Sequence, residues 1–242
     1  MYRNLHPGDN RHVVINNEKY FSTSSQVAAH LLCRECEQRF NRNGEKWVSE
    51  NGFRGQGNFR LQSVLRNSPR LGKTRSSLYF AGVEMPEVNM DQLCYFGASV
   101  FWRGSAPRWD GGDSIDLGPV YKEQFRRFLM DEIAFPANAI LQLHVSNAYR
   151  PMEGAFFPSG GRVSKAGFHK YTFMLPGMLF TLALGGRTPP NLRSLCAVHS
   201  EKRLIFLSSK VEDIMKSMAE DMIAENEMVR REILEGVPPR KV

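Results

Sequence analysis

Short apolar runs dominate the chain after residue 75, and their length predicts β-strands. The runs lie at residues 77–83, 139–145, 171–175, 178–184, 195–198 and 204–207. Pro, Gly and Asn lie between most of them, which is typical of strands joined by turns. The pattern therefore predicts an antiparallel or mixed sheet for this part of the chain.

Apolar positions at helical spacing predict three helices around that sheet. Asn89 is placed to cap a mostly buried helix, Pro119 to start a second, and a terminal amphipathic helix is expected to end at Gly236. The apolar positions of these helices are Met90, Leu93, Cys94, Gly97, Val100 and Phe101; Tyr121, Phe125, Phe128 and Leu129; and Val211, Ile214, Met215, Met218, Met222, Val229 and Ile233. Core packing is the first interpretation of the Met-rich terminal stripe, and a dimer or partner surface is the alternative.

The earlier part of the chain is poor in hydrophobic periodicity and rich in Asn, Arg and Gly. We expect in it, in order, a short strand and turn, a helical turn, a helix and an extended arm with loops, at residues 10–20, 26–30, 36–48 and 53–74. The helix has Phe40 and Trp47 as its anchors, and Gly44 weakens it. The chain is therefore predicted to be α+β, with a small region at 1–75 and a larger domain at 76–242.

Composition narrows the class of protein. Hydrophobic residues make up 42% and charged residues 24%, as in ordinary globular proteins. The first residues are too polar for a secretory signal, and the longest apolar run, 174–184, is shorter than the roughly 20 residues that a membrane span needs. Four cysteines are too few for a disulfide scaffold, and Cys94 and Cys196 are expected to be buried thiols. We therefore expect a cytoplasmic protein without a membrane partner.

The positive charge of the chain is concentrated in one segment. The net charge is +7, and residues 34–75 hold ten Lys or Arg against four Glu, ten minus four giving +6. No Asp or Glu occurs from 51 to 75. Such a segment attracts phosphates in a salt-dependent way, so nucleic acid is the predicted partner and a solvated basic face is the alternative. The candidate contacts are Arg39, Arg42, Lys46, Arg54 and Arg60.

Cys33-Arg34-Glu35-Cys36 is the most chemically specific motif in the sequence. A C-x-x-C turn offers two thiolates to zinc at roughly 2.3 Å, and a structural zinc site needs four ligands. His30 precedes Cys33 by one helical turn and is a candidate third ligand. The metal site is therefore predicted to be Cys33, Cys36 and His30, and incomplete in this chain. A redox pair and two thiols that bind nothing are the alternatives.

The residues around this motif resemble the second zinc knuckle of the HNH endonuclease-like proteins found in bacterial genomes and mobile elements. The likeness covers 24–48, and it rests on Leu-Leu-Cys-Arg-Glu-Cys-Glu-Gln-Arg-Phe at 31–40 and Gly-Glu-Lys-Trp-Val at 44–48. A weaker similarity continues through Phe-Trp-Arg at 101–103 and Leu-Gly-Pro at 117–119. The resemblance implies a small zinc-knuckle-like, partial ββα region with structural zinc, followed by the larger α+β domain. It also implies DNA as the partner, with RNA as the alternative, and a divalent ion such as magnesium if the protein is catalytic.

The sequence departs from this family in what precedes the knuckle. In the relatives a first C-x-x-C and a Ser-His-Ile-Ile-Pro-like strand with the catalytic histidine come earlier, and here they would lie upstream of Met1. His6-Pro7 is a weak substitute because the turn residues Gly8-Asp9-Asn10 follow it. No catalytic residue is therefore assigned. We predict an HNH endonuclease-like, nucleic-acid-acting protein that is truncated and inactive as given. The alternative is a non-catalytic protein-binding or assembly module with a vestigial cysteine pair, and a homodimer is open in either case.

Overall fold

A computed structural model describes residues 12–15, 20–23, 32–55, 58–106, 114–163, 167–185 and 189–234. The helices are α1 (Arg34–Phe40), α2 (Lys46–Asn51), α3 (Arg60–Asn67), α4 (Met90–Gly104), α5 (Gly118–Leu129), α6 (Pro190–Arg193) and α7 (Lys210–Leu234). The strands are β1 (His12–Ile15), β2 (Tyr20–Thr23), β3 (Gly72–Lys73), β4 (Ser77–Ala81), β5 (Ala139–Ser146), β6 (Phe156–Val163), β7 (His169–Leu175), β8 (Met178–Leu184) and β9 (Leu204–Ser208). A π-helical turn, Asn41–Glu45, joins α1 to α2, and a 3-10 turn, Gly82–Glu84, follows β4. The predicted α+β class is confirmed.

Seven of the strands form one sheet in the order β3-β4-β9-β5-β8-β7-β6. Neighbouring strands are antiparallel except β5 and β9, which run parallel with His144 opposite Phe206. β1 and β2 form a separate antiparallel pair. The sheet is therefore mixed, as the apolar runs predict.

One face of this sheet, which we call the packed face, carries the main hydrophobic core. Because side chains alternate along a strand, every second residue of β9, β5, β8 and β7 points to it. Helix α4 lies on this face: the ring centroid of Phe96 is 5.7 Å from that of Phe180, and the centroid of Phe101 is 4.9 Å from that of Phe173. The buried strand residues of the packed face include Ile205 and Leu207; Leu141, Leu143 and Val145; Phe180, Leu182 and Leu184; and Tyr171 and Phe173.

Helices α4 and α5 begin and pack as their sequences predict. The side chain of Asn89 accepts a hydrogen bond from the backbone N–H of Gln92 at 3.0 Å, which caps α4. Pro119 lies in the first turn of α5. Phe125 and Leu129 of α5 are 0% and 1% exposed, so this apolar face belongs to the core and is not free for a partner.

The N-terminal helical segment, residues 34–51, consists of α1, the π turn and α2 and is longer at both ends than predicted. Phe40 is buried in the main core and Trp47 packs against it, which confirms both as anchors. A Cβ on Gly44 would lie 2.9 Å from the backbone nitrogen of Phe96 in α4. The glycine that weakens a helix on propensity alone is therefore what lets this segment approach α4 so closely.

The extended arm predicted at 53–74 is wrong, because this part of the chain contains α3. Leu61 and Leu65 of α3 are 1% and 0% exposed, and they lie one helical turn apart. Basic and polar residues surround this short apolar pair and hide its spacing in the sequence. Both leucines belong to the same core as the packed face, and β3 pairs with β4 with Gly72 opposite Tyr79. In the described part of the chain, residues before and after position 75 thus share one core.

Two predictions about strands also need correction. Residues 195–198, predicted as a strand, form turns, and the Ala197 N–H donates to the carbonyl oxygen of Leu141 at 2.7 Å without starting a ladder. β6 escapes the sequence pattern because Pro158 and a Gly-Gly pair interrupt it. Such residues are tolerated at the edge of a sheet, and β6 is an edge strand.

Helix α7 packs on the other face of the sheet by its first turns. Val211 and Met215 are both 0% exposed and lie in one cluster with Met174 and Leu179. The core-packing interpretation is therefore confirmed for this part of the Met-rich stripe. The predicted helix end at Gly236, like the helical turn predicted at 26–30, lies outside the described residues. Among the helices that the structure describes, none is long and apolar enough to cross a membrane.

Candidate functional site

The cysteine pair lies where the N-terminal helical segment begins. Cys33 immediately precedes α1 with an extended backbone (φ −74°, ψ 166°), and Cys36 is in the first turn. A hydrogen bond between the Cys36 thiol and the Cys33 side chain, together with slight burial, raises the pKa of Cys36. The motif therefore brings the two sulfurs together, as a thiolate clamp requires.

Charges around the pair act in opposite directions on its ionisation. The Cys33 thiol donates a hydrogen bond to the Glu35 carboxylate, which lowers the pKa of Glu35. The Glu35 charge raises the pKa of Cys36, whereas the Arg39 guanidinium lowers it. A cation held between the two sulfurs would act in the same direction as Arg39 and favour both thiolates.

The cysteine pair offers two of the four donors that a structural zinc site would need. Structural zinc takes four ligands, and Cys33 and Cys36 provide two of them. His30, the predicted third ligand, lies outside the described residues. Within the ranges that the structure describes, no three His, Cys, Asp or Glu side chains are grouped so that they could hold a metal ion. The zinc site stays a prediction, and the two adjacent thiols are what supports it.

Cys94 and Cys196 are buried single thiols, as predicted, with 4% and 0% exposure. The Cys94 thiol donates to the carbonyl oxygen of Ala197 at 3.5 Å. Burial raises the pKa of Cys94 to about 12, so it stays protonated. Both residues act as small core side chains, and neither belongs to the cysteine pair.

The segment that carries the cysteine pair has no excess charge. Residues 34–51 contain four Lys or Arg and four Glu, which sum to zero. Two of these charges are moreover engaged with other elements: Arg39 pairs with Asp131 and Glu45 pairs with Arg103, each at 2.7 Å. The positive excess therefore does not surround the thiols, although the two features are adjacent in the sequence.

The predicted nucleic-acid contacts fall into two groups. Arg39, Arg42 and Lys46 lie on the neutral N-terminal helical segment, and the latter two are exposed. Arg54 is exposed, and its Nε donates to the carbonyl oxygen of Ser49 at 2.7 Å. Arg60 is exposed at the first position of α3. Only Arg54 and Arg60 belong to the acid-free part of the chain.

The excess charge lies on α3 and on the chain that leads into β3 and β4. Residues 52–75 hold six Lys or Arg and no acid, and all six side chains are exposed. α3 is fixed to the end of β5 by Gln62, whose Nε2 donates to the carbonyl oxygens of Ser146 at 2.7 Å and Ala148 at 2.8 Å. Arg66 Nη2 donates to the carbonyl oxygen of Asn147 at 2.7 Å. These bonds hold the loop after β5 against the basic helix.

That loop adds two side chains that sequence reasoning missed. Tyr149 is 78% exposed, and Arg150 next to it is also exposed. They were missed because they are distant in sequence: Arg66 and Asn147, which join the two parts, are 81 residues apart. We call the combined region the basic surface and define it as Arg54, Arg60, Arg66, Arg70, Lys73, Arg75, Tyr149 and Arg150.

Comparison of this chain with protein-family models, with curated proteins and with solved structures finds no match. No family membership is shown, and the resemblance to HNH endonuclease-like proteins stays a prediction from residues 24–48. The functional conclusion rests on the adjacent thiols and on the basic surface.

Proposed function

We propose that this protein binds nucleic acid through its basic surface, and that it is an HNH endonuclease-like protein whose cysteine pair is half of a structural zinc site. The observation that carries the binding proposal is the run of six exposed cations without an acid from 52 to 75. Interleaved acids would pair with such cations and repel phosphates. Their absence leaves the field of this surface positive.

The chemistry of the basic surface suits a phosphate backbone with exposed bases. Arg and Lys contact phosphates and release counterions, which makes affinity fall as salt rises. An exposed aromatic ring beside cations stacks on unpaired bases and contributes roughly 1–3 kcal/mol per base. Tyr149, in the loop that Gln62 and Arg66 bond to α3, is such a ring. Single-stranded DNA is therefore the proposed partner, and RNA is the competitor to test against it.

Two features support the HNH-like part of the proposal. The two thiols at the start of α1 are adjacent, and two antiparallel strands, β1 and β2, precede that helix in the order of a ββα unit. Cleavage by an HNH nuclease needs a histidine base and a divalent ion such as magnesium. Binding through the basic surface needs neither group, so binding is the activity that we propose. The protein-binding alternative gains no support from α5, whose apolar face is buried.

Fluorescence anisotropy with a labelled oligonucleotide tests the basic surface. Replacing Arg70, Lys73 and Arg75 together by Gln removes three exposed cations. We expect affinity for single-stranded DNA to fall at least about tenfold and the salt slope to drop by roughly two, since each lost contact removes about 0.7 from it. The control replaces Arg193, Lys202 and Lys216 by Gln, an equal loss of charge elsewhere on the surface, and is expected to bind within about twofold of the parent. Equal losses in the two triple variants would refute the proposed surface.

Elemental analysis of the purified protein tests the cysteine pair separately. About one zinc per chain would mean that further ligands complete the half site of Cys33 and Cys36, since structural zinc takes four. Cys36→Ser should remove most of the metal, whereas Cys94→Ala, which alters a buried single thiol, should keep it. A metal-free parent protein would leave Cys33 and Cys36 as a pair of thiols only.

A further inference from the structure

The face of the sheet opposite the packed face, which we call the second face, has a row of polar side chains across its middle. The strand registers place Gln142 opposite Thr181, Thr181 opposite Thr172, and Thr172 opposite Ser159, across β5, β8, β7 and β6. Residues directly opposite each other lie roughly 5 Å apart, so this polar row extends about 15 Å. Three hydroxyls and an amide thus lie side by side on one surface.

Apolar clusters flank the polar row on both sides. On one side Met174 and Leu179 pack with the first turns of α7. On the other side Ile140 and Ala183 pack with Cys196. Each cluster fills one end of the second face, and neither includes a member of the row. We call this polar row between the two apolar clusters the trough.

His144 borders this trough with an unsatisfied nitrogen. It lies two residues from Gln142 on the same strand and therefore on the same face. Its ring stacks on Phe206 at a centroid distance of 4.7 Å. The Nδ1 atom is buried and has no hydrogen-bond partner among the described residues. Because such an atom costs roughly 1–3 kcal/mol when unbonded, a ligand or ordered water is expected to bond it.

Two ammonium groups and the Glu212 carboxylate lie around this region. None of the seven strands contains Asp or Glu. Lys170 on β7 shares the face of Thr172, and Lys210 begins α7. Burial, together with these two ammonium groups, lowers the pKa of His144 to about 4. The carboxylate of Glu212, in the first turn of α7, already accepts a hydrogen bond from the Ser146 hydroxyl at 2.6 Å. Positive charge near the trough is therefore not neutralised by the sheet itself.

We propose that the polar row and His144 form a binding site for a small oxyanion, a phosphate or carboxylate group. Thr181, Thr172 and Gln142 donate hydrogen bonds to it, and the neutral imidazole of His144 donates one from its Nδ1–H. Lys170 and Lys210 supply the opposite charge, which makes these hydrogen bonds stronger than neutral ones. The site is distinct from the basic surface and does not depend on nucleic-acid binding.

Histidine NMR on the full chain tests this site, with the ring signals of His144 assigned by their loss in His144→Phe. Inorganic phosphate and acetate are titrated to about 50 mM at constant ionic strength, far above the roughly 1 mM dissociation constant of a weak site. We expect a saturable shift of the His144 signals. Saturation by phosphate alone identifies a phosphate ligand, and saturation by acetate alone identifies a carboxylate ligand. An equal response to chloride, or no saturable shift with either oxyanion, would overturn the proposal.

Two charge-matched variants decide whether the trough itself is responsible. Lys170→Gln removes a cation of the site and is expected to weaken oxyanion binding about tenfold, equivalent to about 1.4 kcal/mol. Lys216→Gln removes a cation from α7 whose side chain is 71% exposed and lies 3.7 Å from Glu220, and it is expected to leave binding unchanged. Both positions are on the surface, so both variants should fold. Equal weakening in the two would mean general attraction of anions and would overturn the site.

Discussion

The two faces of the seven-stranded sheet are made by the same strands but have different chemistry. On the packed face the buried residues of four adjacent strands are all apolar and lie under α4. On the second face two small apolar clusters leave a polar row between them, next to the half-buried His144. Since neighbouring residues of a strand point to opposite faces, a change of one position moves a substitution from one environment to the other. Stability should therefore depend mainly on the packed face, and ligand chemistry on the second.

The largest expected effect comes from adjacent residues on opposite faces of β7. Phe173 is 1% exposed, and its ring centroid stacks 4.5 Å from that of Phe180 in the main core. Phe173→Ala should lower the free energy of unfolding by roughly 3–5 kcal/mol, because the core cannot close over the cavity. Met174→Ala, in the small cluster under α7, should cost only about 2 kcal/mol, since α7 can shift to fill the space. Urea unfolding measures both, and a larger loss for Met174→Ala would reverse the ranking of the faces.

The second expected effect is a dependence of stability on pH through the second face. The pKa of His144 is lowered from 6.5 to about 4 in the folded chain. As the pH falls, His144 of the unfolded chain is protonated near pH 6.5, whereas His144 of the folded chain is protonated only near pH 4. The contribution of His144 to stability is therefore complete above about pH 6.5 and is lost as the pH falls from there to about 4. The whole loss is up to about 3 kcal/mol, with about 2 kcal/mol of it between pH 6.5 and 5.

Urea unfolding at pH 7.5, 6.5, 5.5 and 5 measures this loss, and the range stays above the pKa values of most carboxylates. In His144→Gln the slope should nearly vanish. His199→Gln is the matched control, because His199 Nε2 bonds the carbonyl oxygen of Pro136 at 3.0 Å and its ring packs on Phe135 of the main core. A pH slope that survives in His144→Gln would contradict the burial of His144 as a neutral ring.

How far the sequence predicts the fold depends on whether the signal is local. Asn89 is recognisable as a cap because its hydrogen-bond partner, the N–H of Gln92, is three residues away. The apolar runs that become β5, β7, β8 and β9 are equally local. The parallel pairing of β5 with β9 has no such local signal. The ion pair of Arg39 with Asp131 has none either, because its partners are 92 residues apart. Local patterns give the elements, whereas their partners follow only from the assembled sheet.

The smaller third effect concerns the helical layers above the packed face. Gly44 in the π turn approaches Phe96 of α4 so closely that a Cβ would lie 2.9 Å from its backbone nitrogen. Gly44→Ala gains up to about 1 kcal/mol of helix propensity but loses roughly 1–3 kcal/mol by overpacking, because a backbone atom cannot swing aside. We expect a net loss of about 1–2 kcal/mol in urea unfolding. A stabilised Gly44→Ala variant would show that the contact between the two helices is loose.

The candidate sites divide in the same way between local and assembled signals. The Cys33 and Cys36 thiols are three positions apart on one turn, so their proximity can be predicted from the motif alone. Six of the eight residues of the basic surface can be predicted from the sequence, whereas Tyr149 and Arg150 join it only through the contact of α3 with the loop after β5. The polar row has no sequence signal at all, since its four members come from four strands and each lies among apolar neighbours. A site whose residues are brought together by the pairing register of strands cannot be predicted until that register is known.

The smallest expected effect is the sharpest test of what the second face is for. Thr181 is only 7% exposed and lies at the centre of the polar row. If its hydroxyl served the fold, Thr181→Val would leave a buried partner unpaired and lower stability by roughly 1–3 kcal/mol. We expect a change within about 0.5 kcal/mol, because a hydroxyl kept for a ligand can be replaced by a methyl group of the same size without loss to the empty protein. The same variant should lose oxyanion binding in the histidine NMR titration. The loss of one hydroxyl would then abolish binding and leave the free energy of unfolding almost unchanged. A Thr181→Val protein that is less stable and still binds phosphate or acetate would mean that the row is part of the core, and that the two faces differ only in how thickly they are covered.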